Sequence, residues 1–544
     1  MHYQRTLRRS TAAAVGFGLL VALVAPTAAH AGSAAVITNP GFESGMPGWT
    51  TSGVNSAAKI ESGGDDSASR LTHFLAAPGT VTTTQKVRLP STGWWTYTAA
   101  VKSGGPVNSS MLRVTGCAIG ARTTVPSTEA DDSWLTLAVS FRALTRDCTI
   151  GIRTTGAAAW ASLDTVAVAP GRTEREIRGA DLSSIPRNED KGAEYRTPGG
   201  RTIDPVSAFA LAGANVGRLK VWVDPADGYN DLDDVVAMGK RITRAGMTVL
   251  VDFHYSDRWT DPGAQGVPAA WAADSVTEMT AHLRQYTFQV LTALKKAKVS
   301  VGFVQVGNEI NPGMLWPYGQ TWDVDTSDDV TGAQWDNLAG FLTAGSTAVD
   351  DVFPKAKVIL HLTNINNGVG SLTWWFDEIT ARNVPFDIIG LSYYSYWHGS
   401  LADLQEAVSV LGDRYVRDVI VVETAYPFTL ADDPESPWEN TIDLESELTA
   451  GYPATPVGQA ANFRAVQDVT VAAPGGHGLG AIYWEPAWTS VAGAGWDPAD
   501  STTGNAWENQ AMFDYDGRML VPAFTQFLPD LGTIPPGWRS LLRH

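Results

Sequence analysis

VGFVQVGNEI, residues 301–310, is an apolar run that stops on an Asn-Glu pair, Asn308 and Glu309. A second run, DVIVVETAY at 418–426, stops around Glu423. Near-continuous Val/Ile/Leu runs of this length fit strands covered on both faces, as in a parallel sheet. Six more lie between 176 and 486: EIRGADLS (176–183), GRLKVWVD (217–224), TVLVDFHY (248–255), KVILHLTN (357–364), DIIGLSYY (387–394) and LGAIYWEP (479–486). Helical spacing fills intervals between them. In 231–246, Leu232, Val235, Val236 and Ile242 share one face and Gly246 can close the end; 273–298, 335–349, 401–412 and 457–471 read alike. Strands alternating with helices predict a (β/α)8 TIM barrel over 177–535, with 301–310 as strand four and 418–426 as strand seven.

Outward from the barrel the grammar changes. Residues 32–169 break into short segments rich in Thr, Val and Ser, punctuated by Gly, Pro and Asn, which predicts an all-β jelly-roll sandwich. PGRTERE, 170–176, is polar and reads as a linker. Residues 1–31 carry Arg5, Arg8 and Arg9, an apolar run from Ala12 to Val24 and the small-x-small site Ala29-His30-Ala31, the pattern of a signal peptide. The Arg8-Arg9 pair raises the twin-arginine route, but its flanking residues fit ordinary secretion better. A secreted location makes Cys117 and Cys148, the two cysteines, a disulfide pair.

The net charge is −18, and losing the leader takes it three units lower. Such a chain repels nucleic acid and anionic lipid and stays soluble, so the expected partner is a neutral polymer and the expected state a monomer with no membrane anchor. Twenty tryptophans suit sugar rings, which stack on aromatic faces.

In a barrel of this kind the active site lies at the C-terminal strand ends. Here these ends read Asp181, Arg218 with Trp222, Asp252 with His254, Asn308 with Glu309, His361, Tyr393 with Tyr394, Glu423, and Trp484 with Glu485. Two carboxylates brought together from positions 114 apart in sequence suit glycoside hydrolysis, where one acid donates a proton and one carboxylate attacks the anomeric carbon. That chemistry needs no cofactor. On the residues alone the two glutamates are interchangeable.

GADLSS (179–184), RLKVW (218–222), DFHYSDRWTDPGAQ (252–265), QVGNEINPGMLWP (305–317), GLSYYSYWHG (390–399), VVETAYPFTL (421–430) and YWEPAW (483–488), in this order, resemble glycoside hydrolase family 53, the arabinogalactan endo-β-1,4-galactanases. The resemblance implies retaining double displacement, with Glu309 as proton donor and Glu423 as nucleophile. It places Asp181, Arg218, His254, Asn308, Tyr394, Trp397, His398, Trp484 and Trp488 around the substrate, and it makes Glu485 a bystander. Arg218 would keep Glu423 ionised. ITNPGFESGMPGWT (37–50) and WASLDTVAVA (160–169) resemble the ends of secreted carbohydrate-binding modules, which makes the sandwich a polysaccharide tether. Its Trp94, Trp95, Trp134 and Trp160 are candidates for stacking on sugar. Glu43 with Asp164, and Asp432, Asp433 and Glu435 in the acidic loop after strand seven, are candidate ligands for a structural calcium, beside their ordinary reading as surface carboxylates. Two other readings stay open: a related retaining β-1,4-glycanase acting on mannan, xylan or glucan, and a non-catalytic polysaccharide-binding protein.

Overall fold

The computed structural model describes residues 35–434, 438–530 and 534–542. The leader reading for 1–31 and Glu435 fall outside them. Two five-stranded antiparallel sheets form the sandwich, and alternation of side chains sets their faces. In Leu135–Ala143 every second residue is buried. Tyr97, Leu112, Phe141, Ile150 and Leu163 pack in the core. Trp95 joins them, so it is not available for a sugar. Cys117 and Cys148 form a disulfide with Cα atoms 4.8 Å apart.

Eight parallel strands close the barrel: β1 (Ile177–Asp181), β2 (Val216–Val221), β3 (Thr248–Phe253), β4 (Val301–Val306), β5 (Lys357–Leu362), β6 (Ile388–Ser392), β7 (Asp418–Glu423) and β8 (Gly478–Tyr483), with β8 pairing back onto β1. Each begins within a residue of its apolar run and ends two to four residues earlier, so most of the candidate polar residues stand on or just past the strand ends. Helices follow the strands: α1 (Pro205–Ala212), α2 (Leu232–Arg244), α3 (Val276–Lys296), α4 (Trp335–Val352), α5 (Val369–Ala381), α6 (Leu401–Tyr415) and α7 (Pro456–Ala472). Local chemistry fixes their ends. Ser275 and Glu278 form a reciprocal cap at the start of α3. Gly246, at φ 88°, ends α2, and the Gly246 and Met247 amides return to Thr243 and Ile242. Periodicity did not single out α1 or α5.

Ile177, Val216, Leu250, Phe303, Ile359, Ile388, Ile420 and Ile482, one from each strand, make an apolar plug in the barrel. Side chains alternate along a strand, so two residues further on the same face reappears. There the plug gives way to Arg218, Asp252, Gln305 and His361, all buried. The lower barrel holds the fold and the upper barrel the site.

The linker is locked. Arg175 is 1% exposed. Its Nε and Nη2 donate to the two Asp530 oxygens at 2.8 and 2.7 Å, and the guanidinium also donates to Gln467 and to the carbonyls of Gln526 and Leu528. Across the joint Gln405 of α6 and Thr136 of the sandwich exchange hydrogen bonds of 2.7 and 2.9 Å, and Thr123 donates to Asp468 of α7 at 2.7 Å. The polar segment 170–176, read as a linker, thus carries a buried arginine that ties it to the barrel. Arg175→Ala is expected to destabilise the protein by about 2–3 kcal/mol, because it strands several buried acceptors while Arg464 still pairs with Asp530. Chemical denaturation of the variant and the wild type measures it, and an unchanged midpoint would count against the lock.

Candidate active site

A cleft of about 520 Å³ opens at the C-terminal end of the barrel. His254, Asn308, Glu309, Tyr394, Trp397, His398, Glu423, Trp484 and Trp488, nine of the residues read from the sequence, line it. Trp259, Trp496 and Trp507 add to the wall. Trp397 and Trp496 are 45% and 49% exposed, which leaves ring surface open to a polymer.

Glu423 reaches the cleft through a slip in strand pairing. Leu391 faces Val421 but Ser392 faces Glu423, so the register skips Val422 and sets Glu423 beside Ser392. Glu423 Oε1 accepts from Arg218 Nη2 at 2.7 Å, and Oε2 accepts from the Tyr394 hydroxyl at 3.1 Å. Burial pushes this carboxyl up and the Arg218 charge pulls it back. The Tyr394 phenol is held well above its usual range by burial and then by Glu423, so it stays a donor.

Glu309 adopts φ 49°, a left-handed conformation that costs about 1 kcal/mol in a residue with a Cβ. Ser392 Oγ donates to its Oε1 at 2.5 Å, and the Glu309 amide points at His361 Nδ1, 3.3 Å away. Burial and then the nearby Glu423 charge lift the Glu309 carboxyl well above a free glutamate. Among the described residues no arginine lies against Glu309, so nothing there pulls its carboxyl back as Arg218 does for Glu423.

Arg218 and Asp181 do not line the cleft, which corrects their reading as substrate contacts. Both are buried beneath its floor. Arg218 spans Asp181 (2.7 Å), Asp252 (2.8 Å) and Glu423 (2.7 Å), and also donates to Asn308 Oδ1 at 2.9 Å. Asp181 is filled by Arg218 and by the Ser183 amide and hydroxyl. Burial disfavours the Arg218 charge, but three carboxylates more than offset it, and the group stays protonated. His254 reaches the cleft with its nitrogens engaged: Nδ1 accepts from Trp222 and the Thr260 amide, which puts the hydrogen on Nε2, 3.1 Å from Asp252. His398 is held neutral, at about 4, by burial. Glu485 makes a buried ion pair with Lys220, whose ammonium lies 4.0 Å over the Trp259 ring. Glu485 is not among the residues that line the cleft.

Residues 177–527 match the family model for glycosyl hydrolase family 53, more than half of the chain. The chain belongs to glycosyl hydrolase family 53. It is 34% identical to an endo-β-1,4-galactanase of Bacillus subtilis over 399 residues, which span 67% of this chain and 88% of that protein. It is 35% identical to an arabinogalactan endo-β-1,4-galactanase of Cellvibrio japonicus over 364 residues, 65% of this chain and 90% of that one. Among solved structures the Ignisphaera aggregans GH53 catalytic domain is similar at a TM-score of 0.60 and 34% identity, covering 65% of this chain and 95% of that domain.

On this family-53 barrel the loop after β7 carries Asp432 and Asp433. Asp432 Oδ1 accepts from Asn440 at 2.8 Å, and the Asp433 amide donates to Glu508 Oε1 at 3.3 Å. Glu508, which the sequence did not suggest, is lifted to about 7 by burial and then by the two aspartate charges. In the sandwich, Glu43 accepts from the Ser69 amide, and Asp164 from the Asp65 and Thr165 amides and the Ser67 hydroxyl. Among the described residues no three His, Cys, Asp or Glu side chains converge as a metal cage.

Proposed function

We propose that this protein cuts internal β-1,4-galactosidic links of (arabino)galactan by retaining double displacement, with Glu309 as proton donor and Glu423 as nucleophile. One observation carries the assignment of roles: Arg218 sits against Glu423 and not against Glu309, in a family-53 cleft walled by tryptophan. Glu423 attacks the anomeric carbon while Glu309 protonates the departing glycosidic oxygen. The ester that forms removes the Glu423 charge, Glu309 loses its repulsion, and as a carboxylate it takes a proton from the water that releases the product. Asn308 Oδ1 is held by Arg218 and its Nδ2 donates to the Thr260 carbonyl at 2.7 Å, which fixes the amide beside the bound sugar.

The sandwich holds the polymer in this reading. Its Phe74 is 57% exposed and pairs in register with half-buried Trp160, so both rings stand on one face. The basic-apolar leader and the disulfide support export, and the acidic charge supports a monomer. Among the described residues no helix is long and apolar enough to cross a membrane.

The test is reducing-sugar release from linear β-1,4-galactan, mannan, xylan and cellulose. Galactan is expected to be cut at least about tenfold faster than any other polymer. Inert galactan beside a cleaved second polymer would overturn the substrate, and binding without cleavage of any polymer would make this a sugar-binding protein.

A further inference from the structure

We propose that His361 and Ser392 are positioning residues that reserve Oε1 of Glu309 as a hydrogen-bond acceptor and so keep the transferable proton on Oε2. The inference rests on the reading of Glu309 as proton donor. It follows from where hydrogens can go.

Gln305 Nε2 donates to Asp252 Oδ1 at 2.6 Å, which fixes that amide's orientation, and it also reaches His361 Nδ1 at 2.9 Å. The Glu309 amide points at the same nitrogen. Two donors leave Nδ1 without a hydrogen. Asn308 Oδ1 lies 3.0 Å from it and could accept but not donate, so the Nδ1 assignment rests on the Glu309 amide and the Gln305 amide, both of which bring a hydrogen to it. The imidazole is fully buried beside the Arg218 charge, and burial first and that charge second keep it neutral. Its single hydrogen is therefore on Nε2, directed at Ser392 Oγ, 2.8 Å away. Having accepted there, the Ser392 hydroxyl sends its own hydrogen to Glu309 Oε1. In a protonated carboxyl the carbonyl oxygen is the stronger acceptor, so the oxygen that takes the Ser392 hydrogen is the unprotonated one. Thr363 also bonds this carboxyl, but it lines the open cleft, where substrate competes for it.

The arrangement serves both half-reactions without titrating. In the first, Oε2 gives its proton to the glycosidic oxygen as the C–O bond breaks. In the second, the Ser392 hydrogen bond steadies the carboxylate that receives a proton from water. The titratable groups that face Glu309 are Glu423 on β7, Asp261 after β3, His361 on β5 and Tyr394 after β6.

Ser392→Ala tests this. Removing a donor to the carboxylate raises the Glu309 pKa, so the alkaline limb of kcat/KM should move up by at least about half a pH unit. Galactan hydrolysis should fall about 30-fold, while cleavage of a dinitrophenyl β-galactobioside, whose leaving group needs no proton, should change less than about threefold. Ser392→Thr should restore both. An unmoved alkaline limb, or equal losses on both substrates, overturns the inference. Glu309→Gln run alongside separates the two claims: if it is inactive on galactan while Ser392→Ala behaves as wild type, only the positioning role falls, and if it cuts galactan normally, the donor assignment falls with it.

Discussion

Glu423→Gln is expected to lower kcat on β-1,4-galactan by about 10⁴-fold or more, with polymer binding kept. The amide matches the carboxylate in shape, and its oxygen can still accept from Arg218 or Tyr394, so the floor of the cleft should survive. What it lacks is a lone pair able to form the glycosyl ester. Unlike Glu309→Gln, this variant should gain nothing from a better leaving group, because the missing step is attack and not protonation. Single-turnover assays on both substrates read this directly, and recovery on the dinitrophenyl substrate would mean that the two glutamates have been assigned the wrong way round. The same pair sets the pH profile. As pH falls, Glu423 gains a proton and the nucleophile is lost; as pH rises, Glu309 loses its proton and the acid is lost. Burial raises both carboxyls, so the activity window should lie above the range of free glutamate.

Arg218→Met should lower stability by about 3–5 kcal/mol, since it leaves Asp181, Asp252 and Glu423 buried together with no counter-charge. The sign with pH can be worked out. Without the guanidinium Glu423 keeps the burial that raises its pKa and loses the charge that pulls it back, so the folded variant binds more protons than the unfolded chain and its stability falls as pH rises. Thermal melting from acid to neutral pH should show the gap to wild type widening. Whatever activity remains should show its acid limb moved upward, because Glu423 loses the charge that favoured its ionised form. A uniform stability loss at every pH would mean that Arg218 acts by packing alone.

The eight apolar runs made the barrel legible, since burial on both faces leaves a strand few polar letters. Their ends were overread because aromatic residues such as Tyr255 and Tyr394 continue the apolar pattern into loops that are themselves buried. The helices α1 and α5 escaped for a related reason: PVSAFALA has almost no polar face, and VGSLTWWFDEITA opens without a side-chain cap. Glu309 and Glu423 could be read because one stands just past a strand and the other ends one. The resemblance alone sets Arg218 against Glu423, as nothing in RLKVW itself says whether the guanidinium points up to a sugar or across to three carboxylates. Trp496 and Trp507 lie in a non-periodic segment whose place over the cleft is set by the chain closing after β8. Ser392 and His361 act through hydrogen positions that only their neighbours determine. Arg175 looked like a linker residue because its partner, Asp530, is 355 positions away.

Arg175 also bears on how a long polymer is handled. Two modules on a slack tether lose orientational freedom each time both engage one chain, and that loss weakens the second contact. In this protein the freedom was surrendered once, during folding. A polysaccharide that touches the sandwich and the cleft together meets a ruler rather than a leash: the distance from grip to scission is set by the body of the protein, and lengthening residues 170–176 would break the ruler before it extended the reach.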